Sequence, residues 1–111
     1  MRGGAENTTL SPASGSTAAS SYGTMRVVAC KDSHAAQVIW NGNSTTATAG
    51  EYFFTLPDDY KPAFNGTFPI TRAVVSGPSV GGYMEPRTDG RVKLVLTAQN
   101  YTYGSATYIL A

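Results

Sequence analysis

Charge, cysteine and histidine are all scarce in this sequence, and each scarcity excludes a class of function. Charged residues make up 14% of the 111 residues, against about a quarter in ordinary soluble domains. The net charge is +1 and the basic residues are scattered, so the concentrated basic patch that binds nucleic acid is missing. The same scatter leaves no polybasic signal for a membrane surface. We therefore expect no nucleic-acid partner.

The single cysteine, Cys30, cannot form a disulfide within the chain, so the fold must depend on its core or on partner subunits. Its apolar neighbours, residues 27–29, predict a buried structural thiol. No apolar run approaches the roughly 20 residues of a membrane helix. The start of the chain also lacks the hydrophobic core of a signal peptide. We expect a soluble protein without membrane insertion.

Catalytic groups are equally sparse. His34 is the one histidine, and it lies in the polar turn KDSH with no GxSxG motif to supply a nucleophile. The sequence has no cluster of His, Cys, Asp and Glu that predicts a metal site. Gly81-Gly82 lacks the spacing of a phosphate-binding loop. We therefore expect a protein that is not an enzyme and has no cofactor.

Residues 1–23 differ in composition from the rest of the chain. Gly, Ser, Thr and Ala dominate this stretch, which has almost nothing to bury. Alone in solution such a composition is typical of a flexible linker or tail. We expect an extended N-terminal arm that docks on a neighbouring subunit, followed by a single domain over 24–111.

From Thr24 onward apolar residues alternate with polar ones, as in half-buried strands. Tight-turn pairs at Asn41-Gly42 and Asp89-Gly90 predict hairpins, and NYTYGS (residues 100–105) predicts a loop before the final strand. Helical periodicity is absent, and Gly and Pro interrupt every candidate window. Seven or eight short strands predict an all-β fold, an antiparallel β-sandwich similar to a jelly roll.

Residues 51–64, EYFFTLPDDYKPAF, pass from an aromatic run to two prolines and two adjacent carboxylates. Asp58 and Asp59 could form a catalytic acid pair, since glycoside hydrolysis uses two carboxyl groups with different pKa values. Adjacent side chains in a proline-bounded turn point in different directions, however, so we expect both to face solvent. The structural interpretation is stronger: Pro57 ends a strand, the aspartates cap the turn, and Pro62 stiffens its exit.

The globular part, residues 24–111, resembles head domains of phage tail fibres, baseplates and receptor-binding proteins. In those domains a strand ends in a leucine-proline-x-x-tyrosine-x-proline corner. An aspartate-glycine hairpin and a terminal strand with an aromatic residue follow. The matching positions are Leu56, Pro57, Tyr60 and Pro62 in the corner, Asp89, Gly90 and Val92 in the hairpin, and Tyr108 in the last strand.

The resemblance implies a virion structural protein. Domains of this group are small antiparallel β-sandwiches, usually trimeric, at fibre ends or on baseplates. We therefore expect a non-enzymatic knob on the virion surface, attached to the capsid or tail through residues 1–23. The chain has no coiled-coil, collagen-like or β-helical shaft, which favours direct attachment over a long fibre.

Self-association is also expected from the residues themselves. A domain this small, without a disulfide, has a modest core, and association about a symmetry axis would bury more apolar surface. Several strands carry apolar residues on the face opposite the apparent core, which indicates burial on both sides. We expect an oligomer, which the resemblance implies is a homotrimer, in which these residues are buried: Val28, Ile39, Phe53, Val75, Val95 and Leu110.

The alternative function is a carbohydrate-binding head that recognises a host-surface glycan. Sugar sites need aromatic platforms and planar polar groups in a shallow groove. The competing interpretation is structural: the tyrosines pack within strands and interfaces and bind no sugar. The candidate binding residues are Gln99, Asn100, Tyr101, Tyr103, Tyr83 and Arg87.

Overall fold

A computed structural model describes residues 5–12, 24–30, 34–42, 50–72, 79–97 and 102–111. Within them the chain forms antiparallel strands and one 3-10 turn, Asp58–Tyr60, so the predicted all-β fold is confirmed. No helix in these ranges has the length and apolar character to cross a membrane. The strands are β1 (Ala5–Thr9), β2 (Ser11–Pro12), β3 (Thr24–Cys30), β4 (Ala35–Gly42), β5 (Gly50–Thr55), β6 (Phe68–Arg72), β7 (Ser79–Pro86), β8 (Arg91–Leu96) and β9 (Thr102–Ile109).

The strands form one curled sheet in the order β1-β3-β4-β9-β6-β7-β8-β5-β2. β4 and β5 are separated by four strands in this order, yet the rings of Trp40 and Phe54 lie 6.1 Å apart between centroids. The sheet therefore folds over so that its two halves face each other across the core. The pairing of β6 with β7 is irregular, because its register shifts between Ile70 and Thr71. Gly82, opposite Ile70, has a φ of +140°, and an irregularity of this kind bends a sheet.

The core follows from alternation along the strands, because successive side chains of a strand point to opposite faces. In β8 the three predicted inward residues are fully buried while their neighbours are not. β4 shows the same alternation. The buried apolar residues are Leu10, Met25, Val27, Ala36, Val38, Trp40, Tyr52, Phe54, Leu56, Tyr60, Ile70, Met84, Val92, Leu94, Leu96, Ala106 and Tyr108.

Residues 5–12 join the two edges of the sheet. β1 pairs with β3, and β2 pairs with β5 at the opposite edge. Leu10 lies between β1 and β2, is buried, and donates its N–H to the Met25 carbonyl at 2.8 Å. The described part of the predicted arm is thus extended, but it pairs with its own chain. Its attachment to another protein, and the division of the chain at residue 23, stay predictions.

The predicted hairpin at Asn41-Gly42 is wrong. β4 continues through both residues and pairs with β9, whereas β5 pairs with β8. Gly42 is needed here for space rather than for a turn, since a Cβ at this position would lie 2.6 Å from Trp40 Nε1. In the sequence, a glycine that makes room for the Trp40 indole inside a strand looks the same as a glycine that forms a turn.

The predicted NYTYGS loop is also wrong from residue 102 onward, because Thr102–Ser105 belong to β9 and pair with β4. Gly104 brings β9 close to β6: a Cβ there would lie 3.3 Å from the Ile70 Cα. Two further predictions lie outside the described residues: the burial of the Cys30 side chain and the outward position of Val75.

The proline corner is a structural crossover, as predicted. Leu56, Tyr60 and Pro62 are buried, while Pro57 is half-buried. The Tyr60 N–H closes the turn on the Pro57 carbonyl at 2.9 Å, and the Tyr108 hydroxyl donates to the Tyr60 carbonyl at 2.7 Å. Burial raises the pKa of Tyr108, and the neighbouring Tyr60 adds to the rise. The corner is therefore fastened to the last strand.

Asp58 and Asp59 both face solvent, as expected of a turn. Asp58 lies 3.4 Å from the Lys61 ammonium. Among the described residues neither aspartate accepts the Asx-type hydrogen bond that the sequence predicts, because the turn is closed by the backbone alone.

The Asp89-Gly90 turn joins β7 to β8, which confirms the second predicted hairpin. Gly90 has a φ of +89°, a conformation that favours glycine. The Asp89 carboxylate accepts hydrogen bonds from the Arg91 backbone at 3.1 Å and from its guanidinium at 3.1 Å. Desolvation raises the pKa of Asp89, but these bonds and the charges of Arg91 and Arg87 outweigh it, so the pKa lies below its usual value.

Candidate functional site

An open groove of about 620 Å³ crosses the outer face of β3, β4, β9 and β6. We call it the Tyr103 groove. Its lining includes one exposed aromatic ring, one guanidinium, two side-chain amides and two aliphatic hydroxyls. The side chains that supply these groups are Tyr103, Arg26, Gln37, Asn41, Thr71 and Ser105.

Strand register explains why these residues meet. Residues directly opposite each other on paired strands point to the same face. Asn41 is opposite Tyr103, and Tyr103 is opposite Thr71, which makes one row across β4, β9 and β6. A second row, two residues along, runs from Arg26 through Ile39 to Ser105. The rows are about 7 Å apart, because a strand rises about 3.3 Å per residue.

A hydrogen bond on the buried face of the sheet stabilises the two strands beneath the groove. Trp40 is fully buried, and its Nε1 donates to the Thr102 hydroxyl at 3.0 Å. Gly104 is opposite Trp40 and has no side chain to compete for that space. β4 and β9, which carry most of the groove, are therefore fixed by a buried contact as well as by their ladder.

The exposed groups of the groove include one aromatic ring and, two strands away, one positive charge. The side chain of Tyr103 is 49% exposed, a large fraction for an aromatic residue. Arg26 is exposed, and no described carboxylate lies within ion-pair distance of it. Gln37 donates to the Thr107 hydroxyl at 3.4 Å, a long bond that leaves its amide oxygen available. The arrangement can hold a polar ligand that has an apolar face.

Of the sugar-binding candidates named from the sequence, the structure places Tyr103 in the groove. Gln99, Asn100 and Tyr101 lie outside the described residues. Tyr83 is opposite Pro69, on the same outer face but one strand beyond the groove lining.

Arg87 lies elsewhere, at the β7–β8 hairpin. It donates to Glu85 at 2.9 Å, and its Nε is 3.6 Å from the Asp89 carboxylate. The structure brings Tyr103 together with Arg26, Gln37 and Asn41 instead. Sequence reasoning missed these three because they come from β3 and β4, and only the order β3-β4-β9-β6 makes them neighbours. Their outward alternation in those strands was the available signal.

A second surface is apolar. Phe64 and Ile109 are 72% and 63% exposed, and they border a cavity of about 240 Å³ with Phe68, Pro86 and Thr107. We call this surface the Phe64 patch. The Ala63 N–H donates to the Ile109 carbonyl at 2.9 Å, which holds the loop that carries Phe64 against β9.

Groups of three or more His, Cys, Asp or Glu that could hold a metal are not found in the part of the chain that the structure describes. Comparisons of the chain with protein-family models, with curated proteins and with solved structures give no match. The Tyr103 groove and the Phe64 patch are therefore the features that bear on function, and the likeness to phage head domains stays an expectation.

Proposed function

We propose that this chain is a non-enzymatic binding domain of a phage virion surface, and that the Tyr103 groove binds a host-surface saccharide. The observation that carries the proposal is the half-exposed Tyr103 ring, set among side-chain amides and hydroxyls on a rigid sheet face. The virion context rests on the sequence resemblance of the proline corner and the Asp89-Gly90 hairpin.

The chemistry of the groove suits a sugar. Sugar rings present apolar C–H faces that pack on aromatic rings, and hydroxyl groups that need planar polar partners. Tyr103 offers the ring, while Gln37 and Asn41 offer amides that donate and accept. The volume, about 620 Å³, falls within the ~300–1,000 Å³ typical of small-molecule sites.

The test compares Tyr103→Ala with Tyr83→Ala as a matched control. Both residues lie on the outer face, but only Tyr103 lines the groove. We expect the intact protein to bind on a glycan array, and Tyr103→Ala to lose that binding without a lower melting temperature. Tyr83→Ala should bind normally. Absence of binding by the intact chain, or equal loss in both variants, would reject the proposal.

A second candidate function is structural, a homotrimeric knob attached to the capsid or tail through residues 1–23. The Phe64 patch favours it, since two large apolar side chains face solvent side by side. The outward apolar residues support it as well, because they are only half-buried in a single chain: Val28, Ile39, Phe53 and Val95. Leu110 was also expected to face outward, but it packs against the core instead. Burial of such residues between copies would remove apolar surface from water.

The homotrimer is tested by measuring the molecular mass of the protein in solution. Phe64→Ser with Ile109→Ser should convert a trimer to a monomer in light scattering at micromolar concentration. Val80→Ser is the matched control, because Val80 is 71% exposed and lies outside the patch. A monomeric intact protein would exclude the trimer.

A further inference from the structure

We infer that the Tyr103 groove selects an acidic saccharide, one that carries a carboxylate, and that Arg26 is the residue that reads the charge. The inference rests on the proposed saccharide function. It adds the ligand's chemical class and a specificity-determining residue, which the general proposal leaves open.

The first argument is electrostatic. Arg26 is the one charged side chain that lines the groove within the described residues. Lys61, Arg87, Arg91 and Lys93 each lie within 4.0 Å of a carboxylate of this chain. Arg26 is exposed and has no such partner among the side chains that the structure describes, which leaves its guanidinium open to an anion from outside as far as those side chains go.

The second argument is the position of Arg26 relative to the ring. Arg26 lies on β3 and Tyr103 on β9, with β4 between them. Two strand spacings of about 4.8 Å, together with the 7 Å between the rows, leave room between the two side chains for a sugar unit. Ile39 occupies that interval on β4 and is half-buried, so it offers an apolar floor to the C–H face of the ligand.

The third argument is the geometry of the donor. A guanidinium presents parallel N–H groups that match the two oxygens of a carboxylate, and the pair is stronger than a neutral hydrogen bond. Gln37 adds an amide on the neighbouring strand that can hold an adjacent hydroxyl. A sugar that stacks on Tyr103 can therefore direct its acid group to Arg26.

The experiment is calorimetric titration of the full chain with three probes: a glucuronate-containing disaccharide, its neutral glucose analogue, and a sulfated analogue. We expect the glucuronate probe to bind about two- to fivefold more tightly than the neutral one, as for a single solvent-exposed ion pair. Added salt should reduce this preference. Stronger binding of the sulfated probe would overturn the assignment of a carboxylate.

Variants identify the residue. Arg26→Gln should abolish the preference for the glucuronate probe over the neutral one, and Arg26→Lys should keep part of it. Lys93→Gln removes the same charge outside the groove and should have no effect. An unchanged preference in Arg26→Gln overturns the role of Arg26.

The two levels of the proposal fail differently. If the intact chain binds both sugars equally, and Tyr103→Ala abolishes both, the saccharide function stands and the charge selectivity is wrong. If no probe binds the intact chain, the saccharide function fails and the inference fails with it.

Discussion

Trp40 Nε1 donates a 3.0 Å hydrogen bond to Thr102 Oγ1, and both side chains are fully buried. The bond joins β4 to β9 directly under the Tyr103 groove. Thr102→Val keeps the shape of the side chain but removes the acceptor, so the buried indole N–H is left without its partner. We expect the free energy of unfolding to fall by about 1–3 kcal/mol, as measured by urea denaturation.

Thr107→Val is the control for this prediction, because Thr107 is exposed on the same strand and, among the described residues, its hydroxyl accepts only the long hydrogen bond from Gln37. It should change stability by less than about 0.5 kcal/mol. Equal effects of the two substitutions would show that the buried bond contributes nothing specific.

Among the described glycines, Gly82 leaves the least room for a side chain. Its φ is +140°, and a Cβ would lie within van der Waals overlap of the Val95 carbonyl oxygen. We expect Gly82→Ala to destabilise the fold by at least about 2 kcal/mol, since strain and overpacking act together. Gly66→Ala should be much milder, because its Cβ would meet only the ring edge of Phe68. A thermal melt of both variants tests the contrast.

Leu10 fastens residues 5–12 to the core. Leu10→Ala should lower the free energy of unfolding by about 2 kcal/mol, the lower end for a buried leucine, because the segment is short and otherwise polar. Hydrogen exchange should speed up in β1 and at the β3 edge it covers. Thr9→Ala, at an exposed neighbouring position, should leave both measurements unchanged.

Removal of residues 1–12 should lower the free energy of unfolding by more than Leu10→Ala does. A truncated protein as stable as the intact one would contradict the role of this segment in closing the sheet.

Asp89 should make stability depend on pH in the acid range. Its pKa is lowered in the folded protein, so its contribution is fully present above the unfolded value of about 3.9 and is lost as the pH falls through the folded value. The difference in melting temperature between the intact protein and Asp89→Asn should therefore shrink on acidification below about pH 4. High salt should reduce it at neutral pH. A difference that is constant with pH would refute this assignment.

Much of the fold could be predicted from the sequence, because alternation in β3, β4 and β8 is strong and local. The proline corner and the Asp89-Gly90 hairpin were also predictable, since both depend on local backbone preferences. Asn41-Gly42 misled because a glycine that makes room for Trp40 has the same sequence signature as a turn.

The groove was only partly predictable. Tyr103 could be proposed from composition, but Arg26, Gln37 and Asn41 become its neighbours only through long-range pairing of β3, β4 and β9. Such pairing depends on how the core packs across the whole chain, so no short stretch of the sequence predicts it. The same limit applies to residues 5–12, whose polar composition gives no sign that they complete the sheet.

The pairing of β1 with β3 also affects whether a strand from another molecule can add to the β3 edge. TMRVVAC in β3 is rich in uncharged, β-prone residues, the composition that promotes strand addition between molecules when backbone groups are left open. β1 occupies the backbone groups along Arg26–Cys30, and its own sequence, AENTT, is a poor template for further growth. We therefore expect β1 to shield the β3 edge from strand addition, so a chain cut after residue 12 should aggregate more readily than the intact chain.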